Sequence, residues 1–93
     1  MRVKYVSAAQ REIATIVDYI ADRNPVAAER LMAEFERVTF RLQTTPRIGA
    51  PTEHGYRMLV VKNNYVLFYV ISHEEVHILY VRHGRQLRPW ENN

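Results

Sequence analysis

The carboxyl-terminal end of the sequence concentrates side chains that are capable of chemistry. The stretch from Tyr80 to Trp90 reads YVRHGRQLRPW and carries one His, three Arg and one Trp. Guanidinium groups bind phosphates and carboxylates through paired hydrogen bonds, and His transfers protons near neutral pH. Trp stacks on nucleic acid bases or anchors in a protein pocket. This segment is therefore the first candidate for a functional site.

The cations of this segment follow a run of β-forming residues. Arg82 and His83 end that run, and Arg85 and Arg88 come shortly afterwards. If the strand pairs with its neighbours, its end and the following tail form one cationic edge that binds phosphates or an acidic protein surface. The alternative is structural: Arg82 pairs with a nearby carboxylate, and Trp90 folds back over the core.

A second motif, HEEVH from His73 to His77, matches the H-E-x-x-H pattern of zinc proteases. That chemistry requires both His side chains one turn apart on a helix, with a third ligand elsewhere. The flanking runs YVI and ILYV predict strands, so we place the motif on a hairpin turn and the strand that follows. We expect no metal site and no cofactor. The chain has no Cys, and both Ser have predicted roles at a cap and a turn, so a nucleophile is not predicted either.

These motifs are positioned by a predicted order of strand, helix, helix and three strands. Residues 2–6 alternate and predict the first strand, and Ser7 with Gln10 predicts a capping box at the first helix. Asn24 and Pro25 predict the cap and first residue of the second helix. Three runs of β-branched and aromatic residues predict the remaining strands at 56–61, 65–71 and 76–82.

The two helices are predicted to form an antiparallel hairpin, because each has one apolar stripe and the link between them is short. Residues 44–55 hold two Pro and two Gly and predict an extended loop. The economical packing lays the hairpin on one face of an antiparallel sheet that the first strand joins, which is an α+β fold. At 93 residues and 47% hydrophobic content, the chain predicts a single domain, residues 1–93.

The charge composition of the chain indicates which classes of partner it can bind. Thirteen Lys and Arg against ten Asp and Glu give a net charge of +3 and an isoelectric point near 9.5, which permits nucleic acid or acidic protein partners. Eleven of the thirteen cations are Arg, the residue better suited to bidentate contacts. The sequence shows neither a secretory signal nor a membrane span, and it lacks Cys, so we expect a cytoplasmic protein with no membrane partner.

Nearly the whole chain resembles the RelE/ParE superfamily, the toxins of bacterial type II toxin-antitoxin systems. The resemblance rests on DYIADRNPVAAERL, LQTTPRIG, YRMLVVKNNYVLFYVI and VHILYVRHGRQ, in that order. It implies a helical hairpin against an antiparallel sheet, in agreement with the periodicity. It also implies a cognate antitoxin that lays a helix along the hairpin and in some members adds a strand to the sheet. Val26 and Phe40 lie off the main apolar stripe and are the predicted antitoxin contacts, although scattered exposed apolar residues are normal.

The superfamily divides into two functions. RelE-like members are metal-independent ribonucleases that cut mRNA on the ribosome, whereas ParE-like members inhibit DNA gyrase and block replication. Val66 stands where the ribonucleases commonly have an Arg, and no Tyr follows Tyr80. The HGR after the last strand is typical of the ParE-like branch. The resemblance therefore favours a gyrase inhibitor that arrests growth, whose target-binding residues would be Arg82, His83, Arg85, Arg88 and Trp90.

Two alternatives remain open at this point, a ribosome-dependent ribonuclease and a non-toxic binding module. For a ribonuclease, the resemblance implies that His83 transfers a proton and that Arg57 or Arg85 stabilises the charged phosphate. Whether the chain is an enzyme depends on which of these side chains come together.

Overall fold

The computed structural model describes residues 1–62, 64–85 and 89, and it has two helices packed on one face of a five-stranded sheet. The strands lie in the order β1-β5-β4-β3-β2. The predicted α+β class and the order of the predicted elements are confirmed. The elements are β1 (Arg2–Tyr5), α1 (Ser7–Ala21), α2 (Pro25–Thr44), β2 (Ala50–Pro51), β3 (Arg57–Val61), β4 (Tyr65–Ser72) and β5 (Glu75–His83).

The sheet is mixed, because one of its strand pairs is parallel. β2, β3, β4 and β5 are antiparallel neighbours, whereas β1 runs parallel to β5 from Arg2 opposite Glu75 to Tyr5 opposite Ile78. The sequence predicted an antiparallel sheet and a plain loop over residues 44–55. The short strand β2 within that loop adds one reversal of chain direction before β3. Because of this extra reversal, β5 runs parallel to β1 and not antiparallel to it.

The start of α1 differs from the predicted capping box. The cap residue is Val6, in an extended conformation and without a side-chain cap. Its N–H donates to the carbonyl of Ile78 at 3.0 Å, so the backbone of β1 leads directly into the helix. Ser7 is consequently already helical, and the Gln10 amide donates to the carbonyl of Tyr5 at 3.1 Å. The capping box prediction is wrong because sheet pairing sets this boundary.

The start of α2 follows the prediction. The Asn24 side chain accepts a hydrogen bond from the N–H of Ala27 at 3.1 Å, and Pro25 occupies the first helical turn. Neither helix in the described part of the chain is long and apolar enough to cross a membrane.

The main core lies between the helical hairpin and the sheet. Alternate residues of each strand face the helices, and the polar sides of both helices face outward. The buried residues of this core are Ala9, Leu31, Phe35, Val38, Leu42, Val61, Leu67, Tyr69, Val76, Ile78 and Val81.

The opposite, helix-free face of the sheet also buries apolar side chains. Val66 and Phe68 are 5% and 0% exposed there. The ring of Tyr56 meets those of Phe68 and Tyr80 edge to face, with centroids 6.4 Å and 5.8 Å apart. β4 is therefore buried on both of its faces.

The predicted placement of the HEEVH motif is confirmed. His73 and Glu74 form a turn in which both have positive φ, and β5 begins at Glu75. Within residues 1–62, 64–85 and 89, no group of three His, Cys, Asp or Glu side chains is arranged to hold a metal ion.

The loop that follows α2 is fixed by the hydroxyl of Tyr69. This hydroxyl donates to the carbonyl of Pro46 at 2.7 Å and accepts from the N–H of Gly49 at 2.8 Å. A Cβ at Gly49 would lie 2.7 Å from the same hydroxyl, so only glycine allows the loop to approach this closely.

We predict that Tyr69→Phe lowers the free energy of unfolding by about 1–3 kcal/mol, because the loop keeps a buried N–H and a carbonyl without a partner. Urea denaturation measures this loss. The matched control is Tyr19→Phe, at an exposed tyrosine, where we expect a change within about 0.5 kcal/mol. Equal stability of the two variants would contradict the role given to the Tyr69 hydroxyl.

Candidate functional site

Arg82, the first of the predicted target-binding cations, is paired with a carboxylate of α1. Its guanidinium contacts Glu12 Oε2, while Glu12 Oε1 accepts from the N–H of Val81 at 2.8 Å. The guanidinium also lies 5.0 Å from the ring centroid of Tyr80. Burial lowers the pKa of Arg82 from its usual value, yet a guanidinium stays charged in a protein. The structural alternative for Arg82, pairing with a carboxylate, is thus the arrangement found.

The His83 side chain lies on the face of β5 opposite to that of Arg82, above Tyr65. The two rings meet edge to face with centroids 5.4 Å apart. His83 Nδ1 accepts a hydrogen bond from the N–H of Arg85 at 3.1 Å, so the neutral ring carries its proton on Nε2. The structure therefore brings His83 and Arg85 together just beyond the strand. Arg88 and Trp90 lie outside the described residues.

Arg57 is separated from His83. It pairs with Tyr69 across the sheet, while His83 pairs with Tyr65. Arg57 and His83 are therefore separated by four residues along the strands, about 13 Å, and by two strand spacings across the sheet, about 10 Å. The Arg57 guanidinium instead donates to the carbonyls of Arg47 and Gly49, at 3.2 Å and 2.8 Å. It holds the loop after α2 and does not join the end of β5.

A second group of charges lies on the helix-free face, where β1 meets β5. By register, Arg2 and Lys4 point to this face together with Glu75 and His77. Glu75 carboxylate oxygens lie 3.4 Å from the Arg2 guanidinium, 3.9 Å from the Lys4 ammonium and 3.4 Å from the His77 ring. The basic side chains of this cluster therefore share one carboxylate.

An apolar groove runs between α1 and α2 on the outer side of the hairpin. It has a volume of about 630 Å³, and its acidic side chains are Asp18 and Glu36. We call it the hairpin groove, and its lining residues are Tyr5, Gln10, Ile13, Ala14, Val17, Asp18, Met32, Phe35, Glu36 and Thr39.

The predicted antitoxin contacts do not line the hairpin groove. Val26 and Phe40 are 55% and 67% exposed, but both lie elsewhere on α2. The sequence did not mark the groove residues as a partner site, because Ile13, Val17 and Met32 lie on the apolar stripes of the two helices, and such stripes usually pack on the core. The sequence did carry one indication of the groove: the apolar stripes of the two helices are wider than one face of the sheet can cover.

One end of the hairpin groove is formed by a hydrogen bond between the hydroxyls of Tyr5 and Thr39, 2.6 Å apart. Burial raises the pKa of Tyr5 above its usual value of 10.0, and the bond to Thr39 opposes part of that increase. The ordered hydroxyl pair gives the groove a polar end beside an apolar floor.

The raised pKa of Tyr5 makes stability depend on pH. A tyrosine with a higher pKa in the folded state stabilises the fold fully below pH 10, its unfolded value, and this contribution is lost as pH rises through the folded value. We predict that Tyr5→Phe makes the fall in unfolding free energy above about pH 10 shallower than in the wild type. Denaturant titrations across this alkaline range measure the slope, and parallel slopes for the two proteins would refute the assignment.

Comparisons with known proteins agree with this fold. Residues 3–88 match the family model described as ParE toxin of type II toxin-antitoxin system, parDE. Toxin RelE2 of Caulobacter vibrioides is 32% identical over 79 residues, which cover 85% of this chain and 90% of that protein. The solved structure of a chromosomal ParDE TA system from P. aeruginosa superimposes with a TM-score of 0.77 at 20% identity, covering 89% of this chain and 95% of the other.

The fold and the sequence matches define a toxin of the RelE/ParE superfamily. Within it, the chain belongs to the ParE toxin family of type II toxin-antitoxin systems. Membership implies a cognate antitoxin as its partner.

Proposed function

We propose that this toxin inhibits DNA gyrase and so arrests replication and growth. The observation that carries the proposal is the pairing of basic side chains on the helix-free face. Within the described part of the chain, Arg82 pairs with Glu12, and Arg2 and Lys4 share Glu75. A surface that binds RNA needs cations available to phosphates. Here Arg82 is held in a partly buried ion pair, and the Glu75 carboxylate offsets part of the charge of the exposed Arg2 and Lys4.

The geometry at the end of β5 also supports gyrase inhibition over RNA cleavage. Metal-independent RNA cleavage needs a proton acceptor and a phosphate-binding cation at one place. His83 Nδ1 is engaged by the N–H of Arg85, and Arg57 holds carbonyls of the loop after α2. The exposed Arg85 and its neighbour His83 suit contact with an acidic protein surface, which gyrase would supply. The proposal places the toxin in the cytoplasm.

Ribosome-dependent mRNA cleavage is the second candidate. It is favoured by the similarity to a toxin named RelE2. In this reading His83 transfers a proton from Nε2 and Arg85 stabilises the phosphate.

Two assays with the purified toxin separate the candidates. We predict inhibition of plasmid supercoiling by gyrase at toxin concentrations that leave labelled mRNA intact in a translating extract. Added antitoxin is the control and should restore supercoiling. Cleaved message together with unaffected supercoiling would replace gyrase by the ribosome as the target. If neither assay responds and induced cells keep growing, the chain is a non-toxic binding module.

The end of β5 is tested by single substitutions. We predict that His83→Ala and Arg85→Ala each raise the toxin concentration for half-inhibition by about tenfold, as for residues at the centre of an interface. The control is Arg30→Ala on the exposed surface of α2. Wild-type potency of both site variants would remove His83 and Arg85 from the target surface.

We further propose that the antitoxin places the apolar side of a helix in the hairpin groove. A groove with an apolar floor between two helices fits an amphipathic helix, which is a common recognition mode. Asp18 and Glu36 would meet basic residues at the flanks of that helix. Val26 and Phe40 are proposed as additional contacts outside the groove.

Filling the hairpin groove tests this proposal. Ala14→Arg places a long charged side chain among apolar lining residues, and we predict that it weakens antitoxin binding at least about tenfold. Ala50→Arg, on the exposed strand β2, is the matched control and should bind normally. Titration calorimetry gives both affinities. If Ala14→Arg binds as tightly as the control, the antitoxin docks elsewhere.

A further inference from the structure

Glu12 joins α1 to the end of β5, although the two elements are far apart in the sequence. The parallel pairing of β1 with β5 ends at Tyr5 opposite Ile78, and after Val6 the chain turns into α1. β5 continues to His83, so no strand among the described residues pairs with its outer edge beyond Ile78. The N–H of Val81 lies on this edge, and Glu12 Oε1 accepts from it at 2.8 Å.

The partner of Glu12 completes this arrangement. Arg82 contacts the second carboxylate oxygen of Glu12 and also donates to the carbonyl of Val81, at 3.4 Å. The N–H and the C=O of Val81 are thus both hydrogen-bonded to side chains, at an edge where a neighbouring strand would otherwise pair with them. The side chains of Arg82 and Glu12 are only 20% and 28% exposed, so salt and water screen the pair less than an ordinary surface ion pair.

The chain beyond this fixed point carries the proposed target contacts. His83 packs on Tyr65, the N–H of Gly84 donates to the carbonyl of Asn64 at 2.7 Å, and Arg85 bonds back to His83. All of these contacts follow directly after Val81 and Arg82. A shift of the edge of β5 would therefore move His83 and Arg85 together.

We infer that Glu12 is a positioning residue for the target-binding end of β5. It holds the open edge of the strand against α1 and thereby sets where His83 and Arg85 project. This inference rests on the proposed function only in assigning His83 and Arg85 to the target surface. It also gives Arg82 a role through its pair with Glu12.

Two substitutions at Glu12 separate positioning from direct contact. Glu12→Ala removes both bonds, and we expect about a tenfold rise in the toxin concentration for half-inhibition of gyrase. Glu12→Gln keeps one oxygen to accept from the Val81 N–H but loses the charged contact with Arg82, so we expect it to stay within about threefold of the wild type. If Glu12→Gln is as weak as Glu12→Ala, the bond from the Val81 N–H does not hold the edge of β5 and the inference fails.

The control is a Glu–Arg pair that lies within one helix. Glu34 on α2 lies 2.9 Å from Arg37, but both residues are on one helix and neither reaches β5. Glu34→Gln should therefore keep wild-type potency. Loss of potency in this variant as well would show a general effect of charge and would overturn the specific role of Glu12.

A structural readout accompanies the potency. We expect amide hydrogen exchange of Val81 to accelerate in Glu12→Ala, while core amides of β4 stay protected and antitoxin affinity stays within about twofold. Full potency of Glu12→Ala despite fast exchange at Val81 would overturn the inference. So would a parallel loss of antitoxin affinity, since that would mean a general defect of the fold.

The inference and the proposed function fail in different ways. If the wild type does not inhibit gyrase, the proposed target is wrong, and growth arrest after induced expression replaces the supercoiling assay. Glu12→Ala should then relieve growth arrest, and Glu12→Gln and Glu34→Gln should retain it. Equal arrest by all of these variants would overturn the positioning role whatever the target.

Discussion

The burial of β4 on both faces is the constraint on which the rest of the structure depends. Leu67 and Tyr69 are fully buried toward the helices, and Val66 and Phe68 are buried on the opposite side. A strand of this kind must be paired along both edges and covered on both faces. The pairing positions β3 and β5, and the helical hairpin covers one face. The hydroxyl of Tyr69, which needs partners once it is buried, then fixes the loop that follows α2.

The two proposed interaction surfaces lie on different sides of α1. Its outer side forms the hairpin groove with α2, lined by residues such as Ile13 and Val17. Its other side presents Glu12 to the end of β5, where His83 and Arg85 lie. Because β5 is longer than β1, this end extends past its pairing with β1, and the Glu12 side chain bonds the edge that β1 leaves open. An antitoxin in the groove would thus contact the same helix that holds the proposed target-binding end of β5.

Much of the fold was predictable because periodicity and turn chemistry are local signals. Asn24 and Pro25 marked the start of α2 correctly. The capping box at Ser7 failed because a hydrogen bond from Val6 to the distant Ile78 decides where α1 begins. For the candidate site, the sequence placed His83 and Arg85 together and allowed a carboxylate partner for Arg82, but it did not indicate that this partner is Glu12. The pairing of Glu12 with Arg82 joins residues 70 positions apart, and helical spacing carries no information about such a contact.

If the toxin inhibits gyrase, as proposed, it stops replication before it stops translation. The most direct measurement is the incorporation of labelled thymidine and labelled amino acids in the first minutes after induced expression. Inhibition of gyrase predicts that thymidine incorporation falls first, while protein synthesis continues. An immediate fall in amino acid incorporation with DNA synthesis still proceeding would contradict the claim and identify the ribosome as the target.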